Sequence, residues 1–131
     1  MIVIDASAVI ELLCDTTQGQ VVADRIAAAD GSVHTPQLMP LEVASSLRRL
    51  VGWGVVTAES ATAAIERLVQ VPGTRHEHDH LLPRIWRLRD NLTPYDASYV
   101  ALAEALGATL VTTDARLART QGHTARVELV T

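Results

Sequence analysis

The opening stretch Met1-Ile-Val-Ile-Asp5-Ala-Ser-Ala8 constrains the fold of this chain more than any other segment. A short apolar run broken by one carboxylate and then by small residues reads as a buried strand passing into a helix. Asp5 then stands at the carboxyl end of a central strand, the edge where open α/β sheets gather their ligands.

The rest of the sequence repeats that alternation. Ser7 is placed to cap a short helix through Val9–Leu13, and Asp15–Gly19 reads as a turn. Gln20–Ala29 is spaced for a helix with one buried face, and Ser32–Thr35 for a second strand. Thr35-Pro36 looks like a helix start, but Pro40 requires the helix that carries Glu42 to begin near Met39 or to kink there. It ends at Gly52-Trp-Gly54 and is followed by a helix at Thr57–Val69 and a brief strand at Val69–Pro72. Glu77–Arg89 is a helix interrupted near Pro83, and Tyr95–Leu106 is the clearest helix, opened by Thr93-Pro94 and stopped by Gly107. Thr109–Thr112 is a strand, Ala115–Thr120 a short helix and Ala125–Val130 a last strand. Alternating elements joined at crossover length predict an α/β fold: a mostly parallel sheet of four to five short strands with helices on both faces, residues 1–131 forming one domain.

Composition narrows the chemistry. The chain is 48% hydrophobic yet has no Phe, so its core must be aliphatic. A single cysteine, Cys14, excludes an internal disulfide. With no signal-like start and no apolar run of membrane-spanning length, a soluble cytoplasmic protein is expected, without membrane contact. The net charge of −4 opposes nonspecific polyanion binding, but all 11 basic residues are Arg and none is Lys, so every fixed cation has a forked, phosphate-matching head.

Four acids occupy special places. Asp5 and Asp114 each follow an apolar strand, Asp96 lies in the first turn of the clearest helix, and Glu42 is the one acid on a helix of Leu38, Leu41, Val43, Ala44 and Leu47. Each has a structural reading: Asp5 and Asp114 as helix caps, Thr93-x-x-Asp96 as a capping box, Glu42 as a solvated residue. Together at one sheet edge they repel, and with no Lys they must take up protons, pair with Arg or bind a cation. All-oxygen donors suit a hard divalent ion, Mg²⁺ or Mn²⁺. Arg48, Arg49, Arg84, Arg87, Arg89, Arg116 and Arg119 are available as clamps for a phosphodiester, the alternative being solvated helix faces.

The segments Ile4-Asp-Ala-Ser7, Leu41-Glu42, Thr93-Pro-Tyr-Asp-Ala-Ser-Tyr-Val-Ala-Leu-Ala103 and Leu110-Val-Thr-Thr-Asp-Ala-Arg-Leu117 closely resemble the PIN-domain ribonucleases, and more narrowly the VapC toxins of bacterial type II toxin–antitoxin pairs. The resemblance runs over essentially the whole chain and implies a PIN-like three-layer sandwich. It maps Asp5, Glu42, Asp96 and Asp114 onto the family's acidic quartet and Thr112 onto its Thr-x-Asp hydroxyl. It implies Mg²⁺-dependent endonucleolytic cleavage of RNA, with Mn²⁺ as a substitute, a small cognate antitoxin as partner, and a homodimer. Some wider relatives carry a further acid just beyond the last one; Arg116 and Leu117 stand there in this chain, which puts a second metal position in doubt.

Competing readings are weaker. His76-Glu-His-Asp-His80 satisfies the H-E-x-x-H zinc pattern, but no third ligand is indicated and Pro83 follows closely; adventitious metal binding by His76, His78 and His80 is the sharper alternative. An Asp-dependent phosphatase or phosphoacceptor normally needs a Lys, which is missing. A catalytically silent interaction module with the same fold gains nothing from unpaired carboxylates. Tyr95 and Tyr99 are expected to pack in the core or a dimer seam, and Trp53, between two glycines, to pack, the alternative being an exposed ring that stacks a base or meets the antitoxin. The nuclease reading requires Asp5, Asp96 and Asp114 to come near enough to share one ion, with no guanidinium between them.

Overall fold

In the computed structural model, which describes residues 1–131, five strands form one parallel sheet. In chain order the elements are β1 (Ile2–Ile4), α1 (Ala6–Leu13), α2 (Thr17–Ala28), β2 (Val33–Pro36), α3 (Met39–Gly52), α4 (Ala58–Leu68) and β3 (Thr74–His76). A 3₁₀ turn (Asp79–Leu81), α5 (Leu82–Arg87), α6 (Pro94–Leu106), β4 (Thr109–Thr112), α7 (Ala115–Ala118) and β5 (Arg126–Leu129) complete the chain.

The strand order is β3-β2-β1-β4-β5, and every neighbouring pair is parallel. The chain thus builds outward from β1 to one edge, then crosses over to build outward on the other side. That reversal opens a crevice beyond the carboxyl ends of β1 and β4. The register Ile4↔Val111 puts Asp5 and the Thr112–Asp114 segment at that crevice.

Both faces of the sheet are covered. Val3 and Ile4 point to opposite faces, as do Leu110 and Val111, and all four are fully buried. Helix α6 crosses β1, β2 and β4 with α5 against it, while α1 packs on β4 and gathers α2, α3 and α4 around itself. Residues Ala97 through Ala103 of α6 are all buried, so this helix runs through the core rather than along its surface. Its Ala residues allow close approach to the sheet, and Gly107, at φ 63, closes it in the left-handed conformation.

Several expected boundaries move, each for a local reason. Asp5, not Ser7, caps α1, accepting from the Ala8 N–H. Helix α2 starts three residues before Gln20 because the Thr16 hydroxyl caps it at Gly19 N–H. Thr35-Pro36 ends β2 instead of opening a helix; α3 starts at Met39 with Pro40 in its first turn, where a missing N–H leaves no bond unmade. The third strand is Thr74–His76 rather than Val69–Pro72, since Pro72 offers no donor and Gly73, at φ 139, turns the chain before it meets β2. The helix expected at Glu77–Arg89 is split at Leu82, with Pro83 in the first turn of α5. No helix is long and apolar enough to cross a membrane.

Candidate active site

Asp5 leaves β1 almost wholly buried, at 4% exposure, and all its hydrogen bonds are received from this chain. Oδ1 accepts from the Ser7 hydroxyl at 2.6 Å and the Ala8 N–H at 2.9 Å; Oδ2 accepts from the Thr112 hydroxyl at 2.5 Å. Thr112 Oγ1 in turn accepts from the Asp114 N–H at 3.0 Å, and Ser7 Oγ accepts from the Thr113 N–H at 3.0 Å. The ends of β1 and β4 are therefore laced together through two hydroxyls and one carboxylate. Burial pushes the Asp5 carboxyl above its ordinary value and Asp114 adds to this, against the hydrogen bonds of Ser7, Thr112 and Ala8.

Asp114 caps α7, its Oδ1 accepting from Arg116 N–H at 2.8 Å and Leu117 N–H at 3.3 Å. Asp96 sits in the first turn of α6, which Thr93 caps through the Asp96 N–H at 3.2 Å. Burial raises the Asp96 carboxyl; Arg116 lowers it and Asp114 raises it. Glu42, in the first turn of α3, is raised by burial and further by Asp96 and Asp5. The Tyr99 hydroxyl and Arg49 act the other way, but Glu42 Oε1 and the Tyr99 oxygen remain buried with no hydrogen bond closed. Tyr99 is itself held protonated by burial and by the Glu42 carboxylate.

The four acids lie at the same crevice, Asp114 acting on Asp5 and Asp96, and Asp96 and Asp5 acting on Glu42. Two requirements set by the sequence are not met as they stand. No three His, Cys, Asp or Glu side chains are grouped closely enough to hold a metal ion. A guanidinium also stands between two of the acids: Arg116 Nη2 lies 3.2 Å from Asp96 Oδ2 and 3.5 Å from Asp114 Oδ2. Arg116, named above as a substrate clamp, is instead the counter-charge of the acids here. Its side chain is 73% exposed, so nothing packs it in place. The donor chemistry fits a hard divalent cation: carboxylate oxygens only, one of them buried and unpartnered, with an exposed guanidinium as the sole cation bridging the set.

Three shallow grooves lie around the site, one lined by Glu42, one by Asp96 and one by Ser7 and Thr113. One, of about 400 Å³, runs past Glu42, Arg49, Leu41 and Tyr95. A second, of about 240 Å³, holds Ser7, Thr113, Arg49 and Trp53, and a third, of about 550 Å³, lies beside Asp96, Arg116, Trp86 and Arg89. Arg49 and Arg89 therefore reach the site, whereas Arg48, Arg87 and Arg119 are exposed and line none of the three. Arg84 is committed elsewhere: it pairs with Glu104 at 2.8 and 3.0 Å and is no free clamp. Tyr99 packs as expected, but Tyr95 and Trp53 are 61% and 71% exposed and border the grooves. His76 does not gather with His78 and His80; its Nε2 lies 2.8 Å from His34 Nδ1 across β2 and β3.

Sequence reasoning missed Ser7 as the residue that fixes Asp5, and the pairing of Tyr99 with Glu42. The Asp-x-Ser spacing is a signal for the first, since a side chain two residues on can return to the carboxylate. Nothing local signals the second.

The chain matches the PIN domain family over residues 2–122. It is 44% identical over 118 residues to Ribonuclease VapC3 of Mycobacterium tuberculosis, covering 90% of this chain and 85% of that protein. Ribonuclease VapC12 of the same organism is 37% identical over 130 residues, 99% of each chain. Among solved structures, VapBC2 from Rickettsia felis bound to a DNA fragment from their promoter matches with a TM-score of 0.69 at 11% identity, covering 98% of each chain, a likeness of fold. The chain belongs to the PIN-domain family and, within it, to the VapC ribonucleases.

Proposed function

We propose that residues 1–131 form one nuclease domain, a Mg²⁺-dependent endoribonuclease that also accepts Mn²⁺, acting in the cytoplasm as the toxin of a toxin–antitoxin pair. The observation that carries this reading is the placing of Asp5, Glu42, Asp96 and Asp114 at the crevice beyond β1 and β4, with an exposed guanidinium bridging Asp96 and Asp114. Relatives named ribonucleases at 37–44% identity support it. The solved VapBC2 structure supports a small cognate antitoxin as partner, and membership of the family motivates a homodimer of this chain.

Asp5, Asp96 and Asp114 would hold the ion, with Glu42 beside them. The bound ion would orient a water, lower its pKa and offset charge on the phosphate under attack. The chain's own residues do the rest. Thr112 and Ser7 donate to both Asp5 oxygens, so this carboxylate is kept in one orientation. Burial and the neighbouring acids give Glu42 a raised proton affinity, which suits it to take a proton from the attacking water. Arg49 and Arg89 border the grooves that lead to and from the acids, where they would hold the flanking phosphates.

Cleavage of labelled single-stranded RNA by wild type and Asp5→Asn, with Mg²⁺ or Mn²⁺ and with chelator, tests this. Wild type should cleave only with metal, and Asp5→Asn should lose at least a hundredfold. Equal rates, or full activity in chelator, would refute it. A second reading, a silent interaction module, is favoured by the Arg116 bridge alone. It requires that millimolar Mn²⁺ bind neither the protein nor its complex with RNA.

A further inference from the structure

We propose that the groove between Trp86 and Arg116 is a nucleobase subsite, which takes one unstacked base of a single-stranded RNA next to the phosphate held at the acids. The assignment rests on the nuclease reading for its substrate class, but its geometry is independent of the metal.

Trp86, in the last turn of α5, has 66% of its surface exposed, so it contributes little to the core. A large aromatic left wet and next to a charged site is the side chain that a ligand gains most by covering. The Arg89 guanidinium lies over the indole, 4.9 Å from the ring centroid, and Arg89 Nη1 donates to the Trp86 carbonyl at 2.9 Å. An exposed aromatic ring with an arginine beside it is the combination by which single-stranded nucleic acid is bound without sequence readout.

The groove, at about 550 Å³, is within the range of small-molecule sites. Its lining includes Arg89 and Arg116, with Asp96 the one acid. Arg89, which pairs with no acid, is the cation placed to meet a phosphate beside the base. Because Asp96 and Arg116 belong both to the groove and to the acidic site, a base seated here belongs to a nucleotide next to the reacting phosphate. Only an unpaired base can be splayed out to stack, so the subsite selects single strands over duplex.

The test uses short RNA decamers, rA, rC and rU, labelled for fluorescence anisotropy and titrated in chelator so that none is cleaved. Trp86→Ala should weaken binding of at least one decamer by about tenfold, while Trp86→Tyr stays within about threefold. Intrinsic fluorescence should be quenched by that decamer in wild type and much less so in Trp86→Phe. Under cleavage conditions, Trp86→Ala should raise KM far more than it lowers kcat. Thermal melts of each variant within 2 °C of wild type establish that folding is intact, and Trp86→Tyr carries the comparison if Trp86→Ala melts lower. Affinity of Trp86→Ala within twofold of wild type overturns the subsite while leaving the nuclease reading untouched. Quenching by RNA in a protein that binds no Mn²⁺ and cleaves nothing would keep the subsite and remove the nuclease. Unchanged RNA binding with lost self-association in sedimentation would assign Trp86 to a protein interface and overturn the proposal.

Discussion

Replacing Arg116 with Ala should tighten divalent-cation binding. Its guanidinium bridges Asp96 and Asp114 at 3.2 and 3.5 Å, and an ion entering between these acids must displace it. Exposed ion pairs of this kind are worth roughly 0.2–1 kcal/mol each, so breaking both opposes metal entry by about 1 kcal/mol. The guanidinium's charge also repels the incoming ion; at a water-like dielectric and about 6 Å this is roughly 1 kcal/mol more. The two effects sum to about 1–2 kcal/mol, or roughly five- to thirtyfold in Kd. Isothermal titration with Mn²⁺ at fixed ionic strength measures it. Arg119→Ala, an exposed Arg with no contact to the acids, is the control and should change Kd by less than about threefold. The metal-free Arg116→Ala protein should in turn melt a few degrees lower, because Asp96 and Asp114 lose their counter-charge. An unchanged or weakened Mn²⁺ affinity would refute the reasoning and make Arg116 a structural clamp.

Stability without metal should fall as pH rises above about 4. Asp5, Glu42 and Asp96 are all raised, so the folded chain keeps protons that the unfolded chain releases near 3.8 to 4.5, and folding is progressively disfavoured up to their folded values. Glu104, lowered by Arg84, works oppositely and loses its contribution as pH falls through its folded value; thermal melts should therefore peak at mildly acidic pH, and saturating Mn²⁺ should flatten the alkaline side. Thr112→Val keeps the shape but removes the buried donor to Asp5 Oδ2 and the acceptor for Asp114 N–H; cleavage should drop about 10- to 100-fold and stability by about 1–3 kcal/mol, while Thr112→Ser retains most of both. Gly19→Ala would put a Cβ 2.1 Å from the Glu11 carbonyl oxygen, and the resulting separation of α1 from α2 should cost about 2–3 kcal/mol, read as a lower denaturation midpoint.

What was legible in the sequence is what a strand end or a helix start determines by itself. Asp5 and Asp114 follow apolar runs that can only be strands, so parallel pairing alone brings them to one edge. Asp96 was legible because Thr93-Pro94 fixes where its helix begins. The third strand was misplaced because Thr74-Arg-His76 lacks apolar alternation; it is an edge strand, and backbone pairing with β2 defines it. The pairing of Arg116 with Asp96 and Asp114 is not legible for a different reason. Sequence shows that a cation follows Asp114, but which acid a long side chain reaches depends on how close α6 comes to β4. The exposure of Trp53 and Tyr95 likewise depends on which helix faces find a neighbour, and no local pattern states that.

The two halves of the site are held by different means, and that difference governs how it can respond to an ion. Asp5 is fixed from within: its three donors are Thr112 at the end of β4 and Ser7 and Ala8 in the first turn of α1, and moving it would leave a buried carboxylate unsatisfied. Asp96 and Asp114 owe their mutual tolerance to one exposed side chain instead. The rigid half can set the position of a cation, and the loose half can close on it once Arg116 swings away. The repulsion that this arrangement stores is highest when all four acids are ionised and Arg116 is absent. It follows that cation binding and folding are coupled, and that metal should protect the Arg116→Ala chain against heat by more degrees than it protects wild type.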